Sequence, residues 1–245
     1  MLDIVGAITL TVVAATAVGT LILTSPVERA TRWRLALGAG SWYAVVTGLA
    51  AAGVFSTAGA GTPALGVAVV APVVIVAVGA VRTPALRRLA LGIPLAVLVV
   101  LNAGRLLGVF FLLLHADGRL PRTFALAAGS GDIAVGALAL PLAWLVHRRG
   151  AGSRALALAW SSAGFLDLVA AVTLGVGSAP GSPLRFLFEE PGSGLMGTLP
   201  WLLIPGFLVP IYLLTHLAVF AQLATAAATR RTSSLPAWET HSARR

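Results

Sequence analysis

The 245-residue chain has no cysteine and no lysine, and only 8 acidic residues. Without cysteine there are no disulfides, no iron–sulfur ligation and no thiol nucleophile. Without lysine there is no amine to form a retinal Schiff base, which excludes the chemistry that a seven-helix layout first suggests. Charge of any kind is scarce, at 10% of residues against 58% hydrophobic, where a soluble domain carries roughly a quarter charged. That composition describes one membrane domain.

What is present is a series of apolar runs, each near the roughly 20 residues needed to cross a bilayer. They fall at 2–23, 35–55, 64–81, 89–114, 123–146, 155–177 and 199–226. The expected fold is therefore all-α, a bundle of seven transmembrane helices over residues 1–228. Helix starts are marked by a cap residue followed by proline: Ser25-Pro26 with Glu28 as a capping-box acid, then Thr62-Pro63, Thr83-Pro84 and Ser182-Pro183, with Ser153 before the sixth run. The first run carries Asp3 and lacks a basic leading region, so it reads as a span and not as a signal peptide.

The net charge of +9 comes from arginines at run ends. Arg29, Arg32 and Arg34, then Arg82, Arg87 and Arg88, then Arg148, Arg149 and Arg154 share one side with Arg230, Arg231, Arg244 and Arg245. Arg119, Arg122 and Arg185 fall on the other. Positive-inside bias puts the N-terminus outside and the C-terminus in the cytoplasm. This layout suits anionic lipid at the cytoplasmic face and excludes nucleic acid as a partner. Residues 229–245 read as a disordered basic tail. The external loop Ala179–Thr198 contains Pro183–Glu190, with the spacing of a short amphipathic helix pairing Arg185 with Glu189.

Three ionisable residues lie deep inside the runs: Arg105, Asp132 and Asp167. Each is roughly nine to ten residues from the outer end of its run, ~13–17 Å down at 1.5 Å per residue. Asn102 shares a helix face with Arg105. A charge at that depth is costly unless paired, so the three are expected to meet. The residues on the face of Asp132 are small (Ala125, Ala128, Gly129, Gly136, Ala139), as are Ala163, Gly164, Ala170 and Ala171 around Asp167, which permits close helix approach. Two carboxylates against one guanidinium leave one negative charge over, so the cluster needs a proton to be neutral. It serves either proton coupling or interhelical adhesion.

Gly129-Ser130-Gly131-Asp132 matches the Gly-x-Gly-Asp motif of intramembrane aspartyl proteases, with Asp167 as a possible second acid. The resemblance implies Asp132 and Asp167 as catalytic residues. The order of the two acids is reversed relative to the presenilin-like enzymes, and no tyrosine precedes Asp167. His216 lies within the last run, one turn from Tyr212, and the two extend a polar path inward. His115 and His147 fall at opposite ends, so no pair of histidines can ligate haem, and neither a metal nor a cofactor is expected. Pro200, Pro205 and Pro210 suit a hinge, and Trp33, Trp144 and Trp201 read as interfacial anchors.

The stretch from His115 to Asp132, with Asp167 and the proline-rich last run, resembles a family of uncharacterised bacterial multi-pass membrane proteins to which no activity is assigned. Residue chemistry favours a proton-linked carrier of a small solute, a non-enzyme with Asn102, Arg105, Asp132, Asp167, Tyr212 and His216 as its site. The alternative is a sensor or assembly subunit held together by the same cluster, its protein partner unspecified. For topology, reporter fusions after Arg149 and Arg231 should read cytoplasmic and one after Glu190 external. An external signal at Arg231 contradicts the scheme.

Overall fold

The computed structural model describes residues 1–56 and 59–233, and among these there is no β-strand. The helices are α1 (Leu2–Thr24), α2 (Arg29–Ala51), α3 (Gly61–Arg82), α4 (Pro84–Gly92), α5 (Leu95–Leu101), α6 (Val109–Ala116), α7 (Arg122–Arg149), α8 (Arg154–Ser178) and α9 (Val209–Ser233). A 3₁₀ stretch, Asn102–Gly108, joins α5 to α6, and a π turn, Ile204–Leu208, leads into α9. Six segments are long and apolar enough to cross a membrane: α1, α3, the composite Leu95–Ala116, α7, α8 and Ile204–Thr229. The expected seventh, 35–55, lies largely in α2, which is as long as α1 but less apolar. Its first turns hold Arg29, Arg32 and Arg34, and its body holds Ser41, Trp42, Tyr43 and Thr47.

Several expectations are corrected. The run 89–114 does not form one helix. Ile93 is extended (φ −67°, ψ 132°) before Pro94, which disfavours the helical region for its predecessor and lacks an amide donor. The span starts at Leu95, and α4 becomes a separate short helix with Arg87 and Arg88 exposed on it. Glu28, not Ser25, is the residue before α2, and the Ser25 hydroxyl donates back to the Ile22 carbonyl at 2.6 Å. Residues 183–190 form no helix. There Arg185 pairs with Glu190 at 2.9 Å, while Glu189 accepts from both the amide and the hydroxyl of Thr123. Those two bonds hold the Glu189 carboxyl below the usual glutamate range. The tail expected from residue 229 is helical to Ser233, and residues 234–245 lie outside the described residues.

α7 is the central helix, with neighbours α5, the 3₁₀ stretch, α6 and α8. All five small residues expected on its Asp132 face are buried. Trp201, expected at an interface, is fully buried instead. Its ring lies 5.4 Å from Phe110, and its Nε1 donates to Asp3 at 2.7 Å. Arg119 also reaches Asp3 at 2.9 Å, so the start of α1 is fixed to the end of the bundle opposite the arginine-rich loops. Gly6 makes this fit possible, because a Cβ there would lie 2.6 Å from the Trp201 ring. The π turn is held by Trp42, whose Nε1 donates to the Gly206 carbonyl at 3.0 Å, and by the edge-on contact of Tyr43 with Phe207.

Gly6→Ala should overpack this corner and lower stability by about 1–3 kcal/mol in thermal unfolding of the reconstituted protein. Unchanged stability would mean Trp201 is not packed there. The Glu189 bonds add stability that is present above the ordinary glutamate pKa and lost as pH falls through the lowered folded value. Glu189→Gln should therefore flatten the acid limb of the stability profile.

Candidate functional site

The site is built on the 3₁₀ stretch. Its tighter winding aligns residues three apart, placing Asn102 and Arg105 on one face. That backbone can approach α7 only because both surfaces are glycine. A Cβ on Gly108 would meet the Asp132 Cβ at 2.5 Å, and one on Gly136 would meet the Leu106 amide nitrogen at 2.8 Å.

Arg105 is 1% exposed, and its guanidinium is held from three helices. Nε donates to Asp132 Oδ1 at 2.7 Å, Nη1 to the Gly164 carbonyl at 2.9 Å, and Nη2 to Asp167 Oδ2. Nη1 also faces His216 Nε2 at 3.5 Å. With Nε2 turned to a donor, the consistent tautomer of His216 carries its proton on Nδ1 and donates it to Ser161 Oγ, 2.9 Å away. The Trp160 ring lies 5.3 Å from the imidazole, and Gly164 leaves room for it. The two carboxylates differ in setting. Asp132 is buried, whereas Asp167 keeps 21% of its side-chain surface exposed at the edge of the bundle, and Ala163 and Ala170 beside it are exposed too. Gly131 on α7 faces the Asp167 carboxylate so closely that a Cβ would displace it.

Toward the arginine-rich end, Asn102 Nδ2 donates to the Leu98 carbonyl and to Thr215 Oγ1, each at 3.0 Å. The Thr215 hydroxyl donates to the Tyr212 carbonyl at 2.8 Å. Asn102 Oδ1 and the Tyr212 hydroxyl are buried without a hydrogen-bond partner among the described residues. Tyr212, Arg105 and Asp132 border a cavity of about 20 Å³, enough for roughly one water molecule.

A larger cavity of about 90 Å³ lies between α3 and α8 and has Asp132 among its walls. It extends to Ser193–Gly197 at the end away from the arginine-rich loops. A further cavity, about 540 Å³ and lined by His147, Arg154, Gln222 and Leu95, opens at the arginine-rich end. The buried side chains Ile93, Leu98, Ala218 and Val219 form a compact apolar layer near it, between the polar cluster and that end.

Of the six residues singled out in the sequence, Arg105, Asp132, Asp167 and His216 meet by direct polar contact, while Asn102 joins through Thr215 and Tyr212 through its carbonyl and the small cavity. His115 is separate, facing the Leu120 carbonyl at 3.0 Å. Thr215, Ser161 and the Gly164 carbonyl were not anticipated. Thr215 had a signal in its position, three residues after Tyr212 and adjacent to His216, while a carbonyl partner has no side-chain signature. The Gly-x-Gly-Asp motif has a packing explanation here. Gly129 makes room for Leu112 and the Gly108 carbonyl, and Gly131 for Asp167. Both acids bind the same guanidinium, Asp132 at Nε and Asp167 at Nη2. No group of three or more histidine, aspartate or glutamate side chains that could hold a metal ion occurs among the described residues.

The sequence pattern of a domain of unknown function, DUF8737, matches residues 62–224. The chain belongs to that family. The matched region begins at the start of α3 and includes every polar residue of the cluster, while α1 and α2 precede it. No curated protein and no solved structure matches the chain.

Arg105→Ala should cost about 3–5 kcal/mol, because it strands the buried Asp132 carboxylate and leaves the partly buried Asp167 unpaired as well. Asp167→Asn, which keeps an oxygen acceptor for Nη2, should cost clearly less. Equal losses for the two variants in thermal unfolding would show that the guanidinium is not the organising group.

Proposed function

We propose that this DUF8737 protein is a proton-linked carrier of small solutes in a bacterial cytoplasmic membrane, with Asp132 as the acid that meets the solute. The observation that carries this reading is the placement of Asp132. One oxygen binds Arg105, the other accepts no hydrogen bond among the described residues, and the side chain borders the cavity between α3 and α8. One guanidinium balances one carboxylate, so the second requires a proton or a cation. A mid-membrane acid with that requirement, reachable from a cavity on one side and separated from a second cavity by a thin apolar layer, suits alternating access. Asn102, Thr215, Tyr212 and His216 extend the polar region toward that layer. The π turn beside this cavity and the 3₁₀ stretch beside the small one supply helix irregularities at which such a bundle can bend.

In this reading α2 is the seventh span, the N-terminus lies outside, and the arginine-rich end faces anionic lipid in the cytoplasm. A carrier of this kind needs no catalytic residue and no cofactor. A second reading has one observation in its favour. Asp167 is partly exposed at the bundle edge among exposed alanines, a surface that suits contact with another membrane helix and hence an assembly subunit.

Infrared difference spectra of the reconstituted protein test the carrier reading. A carboxylic C=O band should appear and vanish reversibly between acid and mildly alkaline pH, and Asp132→Asn should remove it. A spectrum with no moving carboxyl band makes the cluster structural.

A further inference from the structure

We infer that the solute is a single-chain amphiphile with a cationic amine head, reaching Asp132 sideways from the bilayer through the cleft between α3 and α8. The inference rests on the carrier reading for its site and goes further in naming what binds there. The argument begins with what closes the cavity and what does not. At the end away from the arginine-rich loops, the chain folds over it. Ser193 Oγ donates to the Gly175 carbonyl at 2.5 Å, and Gly197 sits so near Phe55 that a Cβ would lie 2.6 Å from the Phe55 carbonyl oxygen. The sides are different. α3 packs on α9, α4 and the π turn but makes little contact with α8. The facing positions Leu65, Gly66, Ala171 and Val172 are all partly exposed. A cleft walled by apolar side chains at membrane depth admits an alkyl chain and does not favour a hydrated polar solute.

The head group follows from the floor. Asp132 is the charged residue of the cavity between α3 and α8, and Arg105 lies behind it, bordering only the small one. A ligand in the cleft therefore meets a carboxylate oxygen with unused acceptor capacity and no cation in front of it. An amine cation supplies the single positive charge that Arg105, Asp132 and Asp167 together lack. An anionic head group would face the same carboxylate and be repelled. The cavity itself, about 90 Å³, accommodates a small head and the first carbons, with the rest of the chain in lipid. Phe111, Leu168, Ile204 and Val209 border this cavity and the small one alike.

Equilibrium binding of dodecylammonium, dodecanol and butylammonium to the full chain in phosphatidylcholine nanodiscs tests this. Dodecylammonium should bind saturably, and dodecanol and butylammonium at least about tenfold more weakly, since each lacks one of the two recognised parts. Asp132→Asn should lose at least about tenfold in dodecylammonium affinity. Gly66→Leu provides the independent variant. No atom lies within 4 Å of a Cβ built there, so the protein accepts the side chain, which fills the cleft and should weaken dodecylammonium to a similar degree. Dodecanol binding as tightly as the amine, butylammonium binding as tightly as dodecylammonium, or full affinity in Gly66→Leu would each overturn the inference. The infrared measurement separates the two proposals. A moving carboxyl band without amine selectivity defeats this inference alone, and amine selectivity without a moving band defeats the carrier reading alone.

Discussion

One guanidinium organises this bundle. Arg105 enters from the 3₁₀ stretch and binds α7 through Asp132 and α8 through both Asp167 and the Gly164 carbonyl, with His216 of α9 alongside. In a bilayer the hydrophobic effect does little to hold one helix to another, because lipid tails are as apolar as leucine. A buried charge that loses several kcal/mol or more when unpaired is then among the strongest constraints on how helices assemble. It fixes rotation as well as proximity, since the planar fork presents its donors in set directions.

The rest of the central architecture follows from letting backbones approach that charge. Gly108, Gly131, Gly136 and Gly164 each stand where a Cβ would collide with the cluster or its supporting backbone. The 3₁₀ winding between Asn102 and Gly108 aligns Asn102 with Arg105, so the amide continues the polar region to Thr215 on α9. The arrangement sets two carboxylates against one guanidinium and leaves Asp132 bordering the cleft between α3 and α8.

How much of this the sequence carried differs by level. The scarcity of charge and the apolar runs specify a multi-span helical protein directly, because a bilayer forces every span to satisfy its backbone internally. The depth match of Arg105, Asp132 and Asp167 pointed to one place because membrane thickness converts residue count into height. Pro94 was visible, yet its effect was missed, because hydropathy runs through 89–114 without interruption while the backbone does not. Trp201 was misplaced by the rule that tryptophan sits at interfaces. Here Asp3, itself exposed at the start of α1, offers the buried indole a partner from a distant part of the chain, and no local pattern encodes that. The cleft between α3 and α8 was equally hidden, since it arises from which helices fail to pack.

The central claim is that Asp132 holds a proton that a ligand cation replaces. The direct test is the number of protons released when dodecyltrimethylammonium, which has no exchangeable proton of its own, binds the protein in weakly buffered nanodiscs with a pH-indicating dye. The account predicts release of about one proton per cation bound at mildly acidic pH, and none in Asp132→Asn. Saturable binding by the unaltered protein with no proton released across the acid to neutral range would contradict it.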